Sequence, residues 1–231
     1  IELADARIEE IIRVFASRGA STNVQAELQG LLKRAMGRCD SGLIPDGTLA
    51  VASRQHNLLS TATLFCLFDL SWPQALVLAE EIFDTVDRLH KHTATQVSLS
   101  ARTPLPHSKE LLNELHSAGV ICAVISNDTR QGIEQFLQDH GLSNCITGIW
   151  SADDSPCKPD PGAVHGLCKQ LHLDPSQCAL IGDADSDLLM ARRAGIGCAL
   201  GYVAGWHRTP ELTSHQYLIH HWQELRVEQA Q

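Results

Sequence analysis

One stretch limits what this chain can fold into more than any other: Ala179-Leu-Ile-Gly-Asp-Ala-Asp-Ser-Asp-Leu-Leu-Met-Ala-Arg-Arg-Ala-Gly195. Ala179 to Ile181 is a short apolar run of the kind that forms a buried strand. Gly182-Asp183 ends it, which puts a carboxylate at the strand's carboxyl end. Asp185 and Asp187 follow at once, and an amphipathic run with Leu188, Leu189, Met190, Ala191 and Ala194 leads to a stop at Gly195. Strand, acidic loop, helix and glycine make half of a βαβ unit. Open sheets built from such units bind ligands outside the carboxyl ends of their strands. Three carboxylates crowded there repel one another unless a cation holds them, and hard oxygen ligands suit Mg2+. The same residues also suit a plain acidic turn at a helix N-terminus, where carboxylates are favoured.

The rest of the chain extends this pattern in one half only. From Lys109 onward helices and strands alternate: a helix to Ser117, a strand Val120–Ile125, a helix Thr129–His140, a strand Cys145–Trp150, a helix Gly162–Leu171, a strand Cys178–Ile181, a helix over 187–194 and a strand over 197–201. Tyr217–Ile219 adds a short edge strand before a closing helix. The fold class predicted is α/β, a doubly wound and mainly parallel sheet. Residues 1–92 read instead as four helices without a convincing strand. Ile8, Ile11, Ile12 and Phe15 share one face, and Val24, Leu28, Leu31, Leu32 and Ala35 another. An apolar helix spans 48–70, and a helix from Trp72-Pro73 carries Leu76, Ala79, Ile82, Phe83, Val86 and Leu89. A turn-rich break separates the second and third helices at Gly37–Gly47, and a connector covers 93–106. Two domains are therefore expected, an all-helical one over residues 1–95 and an α/β core over 96–231.

Composition excludes some functions. The net charge of −9, with no basic tract, argues against nucleic-acid binding. No apolar run reaches membrane-spanning length. The eight cysteines are scattered and form no CxxC, so buried thiols in a reducing cytoplasm are expected. Cys168 and His172 have helical spacing but too few companions for zinc. The sequence fixes neither an oligomeric state nor a partner protein.

Two more strand ends carry chemistry. Ser126-Asn127-Asp128 follows an apolar strand and precedes a helix, which suits a phosphate oxygen, though it is also ordinary capping chemistry. Asp153-Asp154-Ser-Pro-Cys-Lys158-Pro-Asp-Pro161 sets a lysine between prolines that restrict its backbone. A lysine held near carboxylates balances charge and can stabilise a transferring phosphoryl group.

In this order and on successive strands, these motifs resemble those of the haloacid dehalogenase-like hydrolase superfamily, and within it the phosphoglycolate phosphatase-like members. Ser126 is similar to its second motif, Lys158 to its third in the Lys-Pro-x-Pro form, and Asp183 and Asp187 to its fourth, Gly-Asp-x-x-x-Asp. The resemblance implies a Mg2+-dependent phosphatase acting on a small phosphorylated metabolite through a phospho-aspartate. Asp183 and Asp187 would serve the metal, Ser126 and Asn127 the phosphate, and Lys158 the developing charge. Asp185 has no role in the family pattern and reads as a loop or capping residue. The helical residues look like the family's cap, which selects substrate. Its cations Arg7, Arg34, Arg38, Arg54 and Arg88 are expected mostly on solvated faces.

The family's first motif, Asp-x-Asp-Gly-Thr on the central strand, has no counterpart ahead of the first helix, since the sequence starts at Ile1. Ile44-Pro-Asp46-Gly47-Thr48-Leu49 contains Asp-Gly-Thr, but Ile44 stands at the nucleophile position and the preceding Gly37–Gly42 is not a buried strand, so it reads as a helix-starting loop within the cap. Without a central strand, the strands at 120–125 and 178–182 would lie about 9–10 Å apart, two strand spacings, and could not pair. A further N-terminal segment of about 10–20 residues is therefore expected in the natural protein. The alternative is a catalytically inactive relative that binds a phosphorylated ligand or a protein partner.

Overall fold

The computed structural model describes residues 2–40, 42–97 and 103–228. Contacts divide the chain into two compact units, residues 1–99 and 100–231. In the first, α1 (Glu2–Ser17) and α2 (Thr22–Met36) are followed by a minimal antiparallel pair, β1 (Arg38–Cys39) and β2 (Gly42–Leu43), then α3 (Thr48–Val51), α4 (Arg54–Cys66) and α5 (Trp72–Val97). Ile8, Ile11 and Phe15 of α1 pack with Leu28, Leu32 and Met36 of α2, with Leu58, Ala62 and Phe65 of α4, and with Ala75, Leu78, Ala79, Ile82, Phe83 and Val86 of α5. Each large side chain buried this way stabilises by about 1.5–3 kcal/mol. Phe15 and Phe65 meet with ring centroids 5.0 Å apart.

The sequence expectations need four corrections here. The apolar stripe of α5 uses Ala75 and Leu78, while Leu76 is half-buried and Leu89 is exposed. The helix expected over 48–70 is broken: Ser53 accepts a hydrogen bond from the His56 N–H and caps α4, a local bond that competes with helix continuation. The break at 37–47 holds the small β1–β2 pair. Its Asp46-Gly47-Thr48 has a packing role. Gly37, at φ 72°, faces Gly47 so closely that a Cβ on either would enter the other's backbone, and Thr48 Oγ1 donates to Asn57 Oδ1 at 2.8 Å. The connector expected over 93–106 falls partly outside the described residues; α5 itself runs to Val97.

In the second unit, α6 (Ser108–Ser117), β3 (Ala123–Ile125), α7 (Arg130–Asp139), β4 (Gly148–Trp150), α8 (Pro161–Leu171), β5 (Ala179–Gly182), α9 (Asp185–Arg193), β6 (Cys198–Tyr202) and β7 (Tyr217–Ile219) alternate as expected of an α/β fold. All strand pairs are parallel, but among the described residues they form two separate sheets, β3–β4 and β5–β6–β7. Ala163, Val164 and Cys168 of α8 and Met190 of α9 pack against Ile125 and Trp150 of one sheet and Leu180 of the other. Burial beside Cys178 pushes the Cys168 thiol up to about 11. His172 ends α8 in a left-handed conformation, so it does not share a helix face with Cys168.

Two strands are shorter than expected. β3 begins at Ala123, and Val120 and Ile121 are 46% and 47% exposed; a strand with a neighbour on one side only has half its ladder to hold it. Residues 143–145 form a 3-10 turn before β4. The closing helix expected after β7 is one 3-10 turn, Trp222–Glu224. Trp222 of that turn and Leu225, Arg226 and Val227 after it line a cavity.

Candidate active site

The carboxyl ends of β3, β4 and β5 carry the polar residues of interest. After β3, the Ser126 N–H donates to the Trp150 carbonyl at 2.9 Å, which fixes the turn against β4. Ser126 Oγ accepts from the Asp128 N–H at 3.1 Å, and Thr129 caps α7 by accepting from the Gly132 N–H. After β4, fully buried Ser151 gives both its N–H (2.7 Å) and its hydroxyl (2.8 Å) to Asp154 Oδ2. Arg130 Nη2 donates to the same oxygen at 2.9 Å, and Asp153 accepts from the Arg130 N–H. The Ser151 donors, helped by Arg130, hold the Asp154 carboxyl below the usual carboxylate range. Asp153 and Asp154 thus tie this loop to α7.

The loop then carries Lys158 back to β5. Trp150 Nε1 donates to the Pro156 carbonyl at 2.8 Å. The Ser155–Pro156 and Lys158–Pro159 bonds are both cis. Asp160 accepts from the Gly162 N–H at 2.7 Å and starts α8. Between these anchors Lys158 Nζ reaches Asp187 Oδ2 at 2.9 Å. Asp187 lies in the first turn of α9 and is 7% exposed. Burial raises its pKa above the ordinary value; the Lys158 ammonium opposes this, and the neighbouring Asp183 charge adds to it. Asp183, at the end of β5, accepts from Trp206 Nε1 on Oδ2 at 3.0 Å.

Asp185 stands between them and does something else. Its Oδ1 accepts the N–H groups of Thr213 (2.6 Å) and Ser214 (2.7 Å), and its Oδ2 accepts their hydroxyls at 2.9 and 3.1 Å. Burial works against its charge, but these four donors prevail and lower its pKa. Asp185 is therefore an anchor for the β6–β7 connection.

A cavity of about 1100 Å3 opens between the two sheets. Its wall includes Ala123, Val124 and Ile125 of β3, Ala179, Leu180 and Ile181 of β5, and at one end Ser126, Asp128, Lys158 and Asp187. Among the described residues no cluster of three or more His, Cys, Asp or Glu is arranged to hold a metal ion alone. What is present is a pair of neighbouring carboxylates, each with one oxygen taken by a protein donor. That set fits Mg2+, which uses one or two protein carboxylates with water and phosphate oxygens, better than a metal needing a full protein cage.

The sequence profile of the haloacid dehalogenase-like hydrolases matches residues 71–200. The chain belongs to that family. Its curated relatives include phosphoglycolate phosphatases of Vibrio vulnificus, 30% identical over 131 residues (55% of this chain, 54% of that protein), and Vibrio cholerae, 34% identical over 104 residues (43% and 46%). The chain spans about half the length of the curated relatives it matches. A solved structure described as a predicted phosphoglycolate phosphatase from Haemophilus somnus superposes with a TM-score of 0.62 at 19% identity, over 94% of this chain and 87% of that one. This last likeness concerns the fold.

Within this haloacid dehalogenase-like frame, Lys158 and Asp187 are in direct contact, Asp183 lies beside them, and Ser126 shares their cavity. Asn127 follows Ser126 and is half-buried. Two residues of this site, Asp185 as anchor and Trp206 as partner of Asp183, had no signal in the motifs. The cap cations split. Arg34 and Arg88 are exposed as expected, but Arg7 is 5% exposed, paired with Asp87 at 2.7 Å and set over the Phe83 ring. Arg38 pairs with Asp5, and Arg54 with Asp84 and Asp87.

Proposed function

We propose that the protein is a Mg2+-dependent phosphatase of a small phosphorylated metabolite, working through a phospho-aspartate. The observation that carries this is the meeting of Lys158 with Asp187, beside Asp183, at the end of a cavity that also holds Ser126. Ser126 holds a phosphoryl oxygen. Lys158 offsets the charge that develops on the transferring group. Asp183 and Asp187 hold Mg2+, which when bound supplies further charge neutralisation at the phosphoryl oxygens. The nucleophile is an aspartate on a strand seated between β3 and β5 and preceding residue 1 in the natural chain. Among the described residues β3 and β5 each pair on one side only, and apolar side chains of both strands line the cavity, which supports that placement. The aspartate attacks phosphorus, the alcohol leaves, and water cleaves the acyl phosphate. Residues 1–95 act as the cap and 96–231 as the core, in the cytoplasm.

The curated relatives put phosphoglycolate first in a substrate panel. Protein from the native source should have an intact mass exceeding that of residues 1–231. It should hydrolyse p-nitrophenyl phosphate only with Mg2+, and Asp183→Asn should lower turnover at least a hundredfold. A mature chain that begins at Ile1 and has no Mg2+-dependent turnover would reject the proposal in favour of an inactive binding relative.

A further inference from the structure

The connection between β6 and β7 is fastened at both ends. Val203 and Leu212 pack under α9 with Leu188, Ala191 and Ala199. Near its far end Thr213 and Ser214 give four hydrogen bonds to Asp185. Just beyond, the Ala199 N–H donates to Gln216 Oε1, and the Gln216 N–H returns a bond to the Ala199 carbonyl at 2.8 Å. Asp185 is two residues from each of Asp183 and Asp187, so the loop is referenced to the acidic turn itself. From this fixed frame the half-buried Trp206 extends its indole N–H to Asp183 Oδ2.

We propose that Trp206 is a positioning residue for Asp183. Its indole N–H occupies Oδ2 and leaves Oδ1 as the single oxygen that Asp183 presents to a hard cation, while Asp185 holds the loop that places the indole. This rests on the assignment of Asp183 as a metal ligand. A carboxylate free to rotate can offer either oxygen or both; one oxygen tied to a fixed donor holds it in one-oxygen coordination, at a fixed angle. Partners of this kind are worth about 10–100-fold in metal affinity. An indole is also an efficient donor of excitation energy to a lanthanide a few ångströms away.

The test uses Tb3+, a hard oxygen-seeking ion, titrated into the naturally extended protein with excitation of tryptophan, alongside calorimetric titration with Mg2+. Asp183→Asn should abolish tight binding of both ions. Trp206→Phe should weaken both about tenfold and remove most of the sensitised emission at saturating Tb3+, although Trp72, Trp150 and Trp222 remain. Trp206→Gln, which keeps an N–H donor without the ring, should restore affinity to within about threefold of the parent and leave emission low. If Asp183→Asn weakens binding while Trp206→Phe binds both ions with parental affinity, the positioning role is wrong and the metal assignment stands. Parental emission from Tb3+-saturated Trp206→Phe likewise removes Trp206 from the site. If Asp183→Asn itself binds normally, the metal assignment fails and the positioning role fails with it.

Discussion

Lys158 Nζ and Asp187 Oδ2 stand 2.9 Å apart with side chains only 16% and 10% exposed, and they join the loop after β4 to the first turn of α9. Removing one partner of such a pair is costlier than removing both, because a lone buried charge keeps its desolvation penalty. Lys158→Ala should cost about 3–5 kcal/mol. Lys158→Ala combined with Asp187→Asn should recover most of that loss, although either change removes a group of the proposed site. Urea unfolding of the parent, both single variants and the double variant measures the coupling. Additive losses would mean the contact contributes nothing.

Much of this site was legible because its residues sit where short apolar strands end. Ser126, Lys158, Asp183 and Asp187 each follow a recognisable strand or proline pattern, and their order along the chain does the rest. Asp185 and Trp206 were not legible, because the partners of Asp185 lie 28 and 29 residues away and that of Trp206 lies 23, across a loop with no period. The sequence already set Asp185 apart as a loop or capping residue, but did not show what it holds: the four donors of Thr213 and Ser214. The helical unit was legible as a bundle, but Arg7 was misplaced. Sequence spacing does not show that Asp87 and the Phe83 ring stand ready to receive a buried guanidinium.

Ser126 should matter more to substrate capture than to the fold. Among the described residues its hydroxyl accepts the Asp128 N–H, in an exposed turn. A hydrogen bond to a charged phosphoryl oxygen is worth about 1.5–3 kcal/mol. In the naturally extended protein, Ser126→Ala should therefore raise KM for p-nitrophenyl phosphate by about tenfold or more, with a melting temperature close to the parent's. Ser126→Thr, which keeps the hydroxyl, should restore KM. A KM unchanged in Ser126→Ala would leave the residue a turn former only.

Asp87 gives the helical unit an acid sensitivity. Burial favours the protonated form of Asp87, but the Arg54 and Arg7 guanidiniums, at 2.6 and 2.7 Å, outweigh it and lower the pKa. The ordinary value is about 4. A carboxylate lowered in the folded state adds stability that is fully present above that ordinary value. The contribution is lost as pH falls through the folded value. The melting temperature followed by helical circular dichroism should drop below about pH 4. Asp87→Asn should lower it clearly at pH 7, because Arg7 loses its counter-charge in a buried position, and much less at pH 3. A gap between parent and variant that is equal at both pH values would assign the acid sensitivity elsewhere.

Gly166 is the point at which packing reaches the site from behind. It lies on α8, directly under the Trp150 ring, and a Cβ there would overlap three carbons of the indole. The ring cannot yield freely, because its Nε1 is bonded to the Pro156 carbonyl and β4 holds its backbone. Pro156 lies two residues before Lys158, so displacing the ring displaces the loop that aims the lysine. Overpacking a well-filled core costs about 1–3 kcal/mol. Gly166→Ala should therefore lower stability by that amount, against the usual gain of alanine over glycine inside a helix. It should also weaken the coupling between Lys158 and Asp187 in the same double-variant cycle, repeated in the Gly166→Ala background. Relief should come from Trp150→Phe, whose smaller ring makes room for the new methyl group at the expense of the bond to Pro156. If Gly166→Ala stabilises the chain as a simple helical substitution would, the ring moves freely and the Trp150–Pro156 bond does not set the position of Lys158.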